Sequence, residues 1–370
     1  MEVTWDQVLA WRLKRQFLEM RGGAGAEEIV GRLCGVQAQV ASAAEVALGV
    51  RQAEPRSDAL RRGLEDRVLV KTWAMRGTLH AVRSSEVASY LSLIASARTW
   101  TKPVWQRSFG ATPKDVAALV EAVSTILDGA VLTRDELVTA LVSDGRFSGM
   151  EEQLRSGWGA LLKPLAWQGA LCYGPSQGTK VTFTRPASLL PDWKGLPDPD
   201  EAAPTVIASY LGAYGPATPE LFDAWLSRNS LRKTVLRAWF ADMGDDLTEV
   251  RVEGHSAYML SEHADDLADC APSTSVRLLG AFDQYVLGPG TKATEMLPAA
   301  HRGKVSRAAG WISPVLVDGG RITGVWDLTD GEVVVSLFPD ADKPSGKALE
   351  SEVEHIARVN GTNDLTVRFT

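Results

Sequence analysis

Apolar and polar positions change period several times along the chain, and the changes recur in one order. Residues 4–20 set Leu9, Leu13, Phe17 and Met20 on one helical face. A second helix is expected over 26–34. The run "CGVQAQVASAAEVALGVR" follows, apolar except for Gln37 and Gln39 at its start. Ser42 and Glu45 have capping-box spacing, which predicts a helix beginning just after the two glutamines. Helices continue to about residue 66, and "RVLVKTWAMRGTLHAV" then alternates as two strands turning near Gly77.

The same order returns twice. Residues 113–128 read as a helix, "LTRDELVTAL" carries Thr133 and Glu136 as a capping box, a helix is expected near 155–168, and "LCYGPSQGTKVTFT" reads as a hairpin. A helix over 201–211 opens the third copy. "ATPELFDAWL" has Thr218 as cap and Pro219 at the first helical position, 231–240 is helical, and "LTEVRVEGHSAYML" turns at Gly254. Three helices with a two-stranded wing are the winged helix-turn-helix plan. Beyond "CAPSTS" the pattern shifts to short strands: "VRLLGAF", "GWISPVLVDGGRITGVW" with Gly319-Gly320 as a tight turn, "GEVVVSLF" and "LTVRFT", with a helix over 346–360 before the last. The predicted fold class is α+β. Three tandem winged helix-turn-helix units, at 1–112, 113–190 and 198–270, precede a small β-barrel-like domain at 275–370.

Composition removes several classes of function. Cys34, Cys172 and Cys270 lie far apart with no CxxC, and the five histidines lack metal-ligand spacing. No Gly-rich phosphate loop and no GxSxG elbow occur. The N-terminus mixes charges and has no apolar core of a signal peptide, and no apolar run could cross a bilayer. The expectation is a cytoplasmic, nucleoid-associated monomer with no metal, no nucleotide cofactor and no membrane partner.

The net charge is −7, yet its distribution matters more than its sum. Nine acids stand against Arg251 alone between Asp242 and Asp269. Basic residues gather elsewhere without acids: Arg98, Lys102, Arg107 and Lys114, then His301, Arg302, Lys304 and Arg307. A basic face with an acidic back suits a duplex DNA partner; solvated surfaces also carry such runs.

Four segments, "GVQAQV", "KTWAMRGTLHAV", "LLGAFDQYVLG" and "GWISPVLVDGGRITGVW", together resemble the winged-helix DNA glycosylase superfamily, closest to its AlkZ-type branch, which protects producers of a cross-linking antibiotic. The resemblance covers most of the chain and keeps the motif order. It implies a monofunctional glycosylase that removes cationic N7-alkylated purines from double-stranded DNA, cross-linked purines included. It also implies a glutamine–small apolar–glutamine catalytic motif, here Gln37, Ala38 and Gln39. A related branch has aspartate at the second glutamine.

The chemistry of the residues fits that implication. In an extended segment, residues two apart face one side, whereas in a helix Gln37 and Gln39 would diverge. Ser42 as N-cap supports the extended reading. A glutamine carbonyl can accept from water while its amide donates elsewhere, but it is a poor general base. That suffices only if the leaving group already carries positive charge, as an N7-alkylated guanine does. Positioning and dipolar stabilisation then remain to be supplied. The bland reading is that the pair ties down backbone between two helices.

Lys71, Arg76, Thr78 and His80 of the first hairpin are candidate DNA contacts, with Arg76 at the tip. Arg98, Lys102 and Arg107 join them, and "HRGKVSR" is the candidate basic hairpin, bringing His301, Arg302, Lys304 and Arg307. Asp283 is expected to hold a basic neighbour, order water or cap a turn. A winged-helix transcription regulator and a protein-binding module are the rival functions.

Overall fold

Helix boundaries follow their caps in the computed structural model, which describes residues 1–362 and 364–370. Thr112 and Thr133 head the helices Pro113–Ile126 and Arg134–Val142 with reciprocal capping boxes to Asp115 and Glu136. Thr4 does the same for Trp5–Arg15, with Gln7 as its partner. Thr218 accepts from the Leu221 amide at 3.3 Å ahead of Pro219–Ser227. Among the described residues the fold is mixed α+β, with many helices and four small sheets.

Two helices differ from their sequence pattern. The N-terminal one ends at Arg15, because Phe17 turns left-handed (φ 58°) and the amides of Leu18 and Glu19 return to the Leu13 carbonyl. Leu9, Leu13 and Leu18 are therefore buried while Met20 is 82% exposed. The helix expected near 155–168 is broken into Glu151–Arg155 and Leu162–Trp167. Gly159 lies in the gap at φ 62°, where a Cβ would stand 2.5 Å from the Trp73 ring. Only glycine allows both the left-handed turn and that approach.

By compactness the chain forms two units. One comprises Met1–Arg61, Ile207–Trp225 and Met243–Thr370; the other comprises Arg62–Val206 and Leu226–Asp242. In the first unit, Val276–Leu279, Val315–Asp318, Arg321–Thr329, Glu332–Leu337 and Thr366–Phe369 form one five-stranded sheet in that order. The first three pairings are antiparallel and the last is parallel. Gly319 and Gly320, at φ 55° and 87°, make the two-residue turn between Asp318 and Arg321. The helix Gly346–Val359 crosses over between the two parallel strands and buries Leu349, Val353, Ile356 and Val359 in the core that holds Leu9 and Leu13. The strand order is linear, so among the described residues this is an open sheet with two edges rather than the partly closed barrel suggested by the strand spacing. The crossover helix covers a face instead of letting the edges meet.

The N-terminal strand Glu2–Val3 adds in parallel to Leu247–Val252, which pairs with His255–Leu260. The N-terminal helix also caps the end of Pro199–Tyr214. Arg15 donates to the Gly212 carbonyl at 2.8 Å, Gln16 to Ala213 at 3.1 Å, and the buried Arg12 to Gly215 and Pro216 at 3.1 Å each. Cationic side chains at a helix C-terminus satisfy its orphan carbonyls and oppose its dipole.

Candidate active site and DNA-contacting residues

The glutamine motif follows a helix that ends abruptly. Ala26–Arg32 closes with the Cys34 amide on the Gly31 carbonyl (3.1 Å) and the Gly35 amide on Val30 (2.8 Å), with Cys34 and Gly35 both left-handed. This is a Schellman ending, with cysteine at the position glycine usually takes. It turns the chain into the short strand Val36–Gln37. Val36 and Ala38 are fully buried, Gln37 is 7% exposed and Gln39 is exposed in a bend. The strand therefore ends at Gln37 and a bend follows at Gln39, leaving one amide buried and the other exposed. Among the described residues neither side chain has a hydrogen-bond partner. The reading that they merely staple backbone is thus unsupported by any contact.

The next helix, Ala41–Gly49, has Val40 as its N-cap and no side-chain cap. This corrects the expected role of Ser42, which sits inside the first turn. Glu45 is not its capping-box partner either. Its carboxylate instead accepts the amides of Leu60 and Arg61 at 2.9 and 3.1 Å, at the start of the helix Ala59–Glu65. Burial pushes the Glu45 pKa up, against the pull of those two bonds. Spacing alone could not separate a local box from a distant helix start.

Past the far end of the helix Ala41–Gly49, Arg51 and Asp283 form a fully buried bidentate pair at 2.7 and 2.8 Å. Arg51 also donates to the Ala47 carbonyl at 2.7 Å, and Asp283 caps Gln284–Leu287 through the Tyr285 amide at 2.8 Å. Two of the roles expected for Asp283, holding a cation and capping a turn, are met together. Arg51, at the end of the quoted apolar run, is the partner that sequence reading missed. A charge expected at the surface gave no sign of burial. Gln284 is also fully buried, with neither amide atom bonded among the described residues.

The second unit carries the first hairpin. Leu69–Trp73 pairs with Leu79–Arg83, Thr72 opposite His80 and Trp73 opposite Leu79. The connection is one 3₁₀ turn, Met75–Gly77, with Arg76 at φ 58° and Gly77 at φ 70°. Arg76 is at the tip, as its place in the turn implies. Thr78 donates its hydroxyl to Met75 at 3.2 Å. Lys71 lies over the Tyr173 ring at 5.3 Å, and burial lowers its pKa.

His80 departs from its expected role. It is fully buried, its Nδ1 stands 3.0 Å from the Thr78 carbonyl, and its pKa falls to about 3. Burial is the main cause and the Arg76 charge the second. A neutral buried ring supports Thr78 and the turn; it is not a cation for DNA. Arg98, Lys102 and Arg107 are exposed.

The "HRGKVSR" segment is not a β-hairpin. Residues 299–305 are a 3₁₀ turn running into the helical turn Arg302–Val305, and a bridge between Ser306 and Ile312 closes the following loop. Arg302, Lys304 and Arg307 are exposed. His301 is 9% exposed, stacked on Phe338 at 4.2 Å with Nε2 on Asp340, so it anchors the turn rather than reaching DNA. A short basic segment with a glycine read as a hairpin, but "RGKV" closes a helical turn that buries Val305.

Among the described residues no cluster of His, Cys, Asp and Glu could hold a metal, and no helix is long and apolar enough to cross a membrane. The chain matches the model of the family described as DNA glycosylase AlkZ-like over residues 30–359. It is 59% identical to the interstrand DNA cross-link repair glycosylase of Streptomyces sahachiroi over 370 residues, all of both chains. The solved structure of S. sahachiroi DNA glycosylase AlkZ matches with a TM-score of 0.98, again over all of both chains. A full-length match at this identity takes in the glutamine motif and both basic segments, and the protein belongs to the AlkZ-like DNA glycosylases.

Proposed function

We propose that this protein unhooks interstrand cross-links in double-stranded DNA by hydrolysing the N-glycosidic bond of a cationic N7-alkylated purine, a role in DNA repair and self-resistance. The observation that carries the reading is the pair of unpartnered amides, Gln37 and Gln39, in the full-length match to a cross-link repair glycosylase. The C1′–N9 bond breaks with its electron pair going to the ring, which neutralises the alkylated base. Water adds to C1′ and loses its proton to solvent. The glutamine carbonyls orient that water and stabilise the developing sugar cation, with no lysine adduct and no strand cleavage.

Small neighbours favour an open site. Ala38, Ala41 and Ala43 flank the glutamines, and residues 34–51 hold no aromatic side chain for a flipped base to stack on. A purine tied to the opposite strand cannot rotate freely out of the helix, so access to C1′ from the duplex edge fits such a substrate. Lys71, Arg76, Thr78, Arg98, Lys102, Arg107, Arg302, Lys304 and Arg307 are the proposed DNA contacts. The proposed finer architecture is three winged helix-turn-helix units, at 1–112, 113–190 and 198–270, followed by an open-sheet domain at 275–370, in a monomer. Nothing among the findings favours the transcription regulator.

The test uses duplex DNA carrying N7-methylguanine. Wild type is expected to release free 7-methylguanine and leave an uncut abasic strand. Gln37→Ala and Gln39→Ala should each lose about 10²–10³ in rate, the scale of one lost positioned dipole. Unimpaired release by both variants, or a borohydride-trapped protein–DNA adduct, overturns the mechanism.

A further inference from the structure

The second compact unit has a cleft of about 350 Å³ that the glutamine chemistry does not use. Trp105, Trp158 and Trp167 line it together with Arg76, Lys163 and Arg228, and no acidic side chain is among its lining residues. Trp158 is 72% exposed, far more than burial of an indole in a core would give. Trp167 is 8% exposed, yet its ring N–H has no partner among the described residues.

The backbone points the same way. Arg76 and Arg228 are left-handed at φ 58° and 60°, and Arg98, whose neighbours Ala97 and Thr99 line the cleft, is left-handed at φ 44°. Such strain in non-glycine residues persists where surroundings enforce it and gathers at ligand clamps. Lys163 has its pKa lowered, first by burial and then by Arg228. Like charges held this close repel each other until an anion sits among them.

We propose that this cleft takes one unstacked nucleotide of the bound DNA strand, its base against the tryptophans and its phosphate among Arg76, Lys163 and Arg228. Flat rings plus cations, with no acid, match a π-face joined to a phosphate. The proposal rests on the reading of the protein as a DNA enzyme, and it adds a second grip for DNA distorted by its lesion.

The experiment compares binding of the full chain to a paired duplex and to the same duplex with one extrahelical adenine. Wild type should prefer the bulged duplex about tenfold, the scale of one base–aromatic stack. Trp158→Ala, at an exposed position, should abolish that preference while leaving paired-duplex affinity within twofold, and Trp158→Phe should restore most of it. Equal affinity of wild type for both duplexes overturns the proposal, as does an equal loss on both in Trp158→Ala. Titration with free dAMP separates the sources. Trp158-dependent dAMP binding without bulge preference assigns the cleft to a free nucleotide and overturns the strand assignment. If wild type binds neither duplex, the DNA reading and this inference fail together. Binding to the paired duplex alone sinks only the inference.

Discussion

The two ends of the helix Ala41–Gly49 are held in opposite ways. At its C-terminal end, Arg51 is locked to Asp283 and to the Ala47 carbonyl, His355 Nε2 donates to the Gly49 carbonyl at 3.1 Å, and Gly49 lies so close to Val359 that a Cβ would stand 2.9 Å from it. At its N-terminal end there is no side-chain cap, Gln39 is exposed, and the amides of Gln37 and Gln39 are without partners among the described residues. The anchored end is fixed by tertiary contacts, and the end proposed to do the chemistry is left polar and unclaimed. Hydrogen-bonding capacity spent on the fold cannot also hold a water or a sugar, and here it is spent at the other end of the helix.

The largest effect that would break this contrast is on stability. Asp283→Ala strands a buried guanidinium and removes the cap on Tyr285, and should cost about 3–5 kcal/mol in chemical unfolding. Gln39→Ala should change stability by less than about 0.5 kcal/mol, as an exposed, unpartnered residue does. Similar losses in both variants would show that the two ends are not held differently.

Much of this was legible in the sequence, and the misses have physical causes. Thr133 and Thr218 sit beside the helices they cap, so local spacing suffices. The strands and Gly319-Gly320 declared themselves by alternation and by the turn they require. The glutamine motif stood out because amides are costly among apolar neighbours. Glu45, Arg51 and His301 could not be placed. Their partners are Leu60 and Arg61, Asp283, and Asp340 with Phe338, set by tertiary packing rather than by spacing. His80, a lesser candidate because a lone histidine on a strand is more often packed, is indeed packed, and only the tertiary fold shows which face of its strand is covered.

A pH series sharpens the contrast at the anchored end, with a smaller effect. Burial depresses His355 to about 4 and His80 to about 3. Both are neutral when folded, while unfolded histidine protonates near 6.5. As pH falls below that value the unfolded state binds more protons, so stability should fall. The loss is about 1.4 kcal/mol per pH unit for each histidine, down to the folded value. Unfolding midpoints measured from pH 7.5 to 5 should drop accordingly, and His355→Gln, which keeps a donor for Gly49, should roughly halve the slope. A flat profile would mean the rings are not held neutral.

The smallest expected effect concerns the DNA face. Replacing Arg302 and Lys304 by alanine should leave folding intact and reduce the log–log salt slope of duplex binding by about 0.9 per lost phosphate contact. An unchanged slope removes that turn from the footprint.

The Arg51–Asp283 pair also bears on how the chain is made. Residue 283 leaves the ribosome long after residue 51, on the order of tens of seconds later at ~5–20 residues per second. Until then the segment carrying Gln37 and Gln39 lacks the carboxylate that fixes the helix behind it, and Gly49 lacks His355 and Val359 for longer still. A nascent or truncated chain therefore holds the glutamine segment without the contacts that fix the far end of the helix following it.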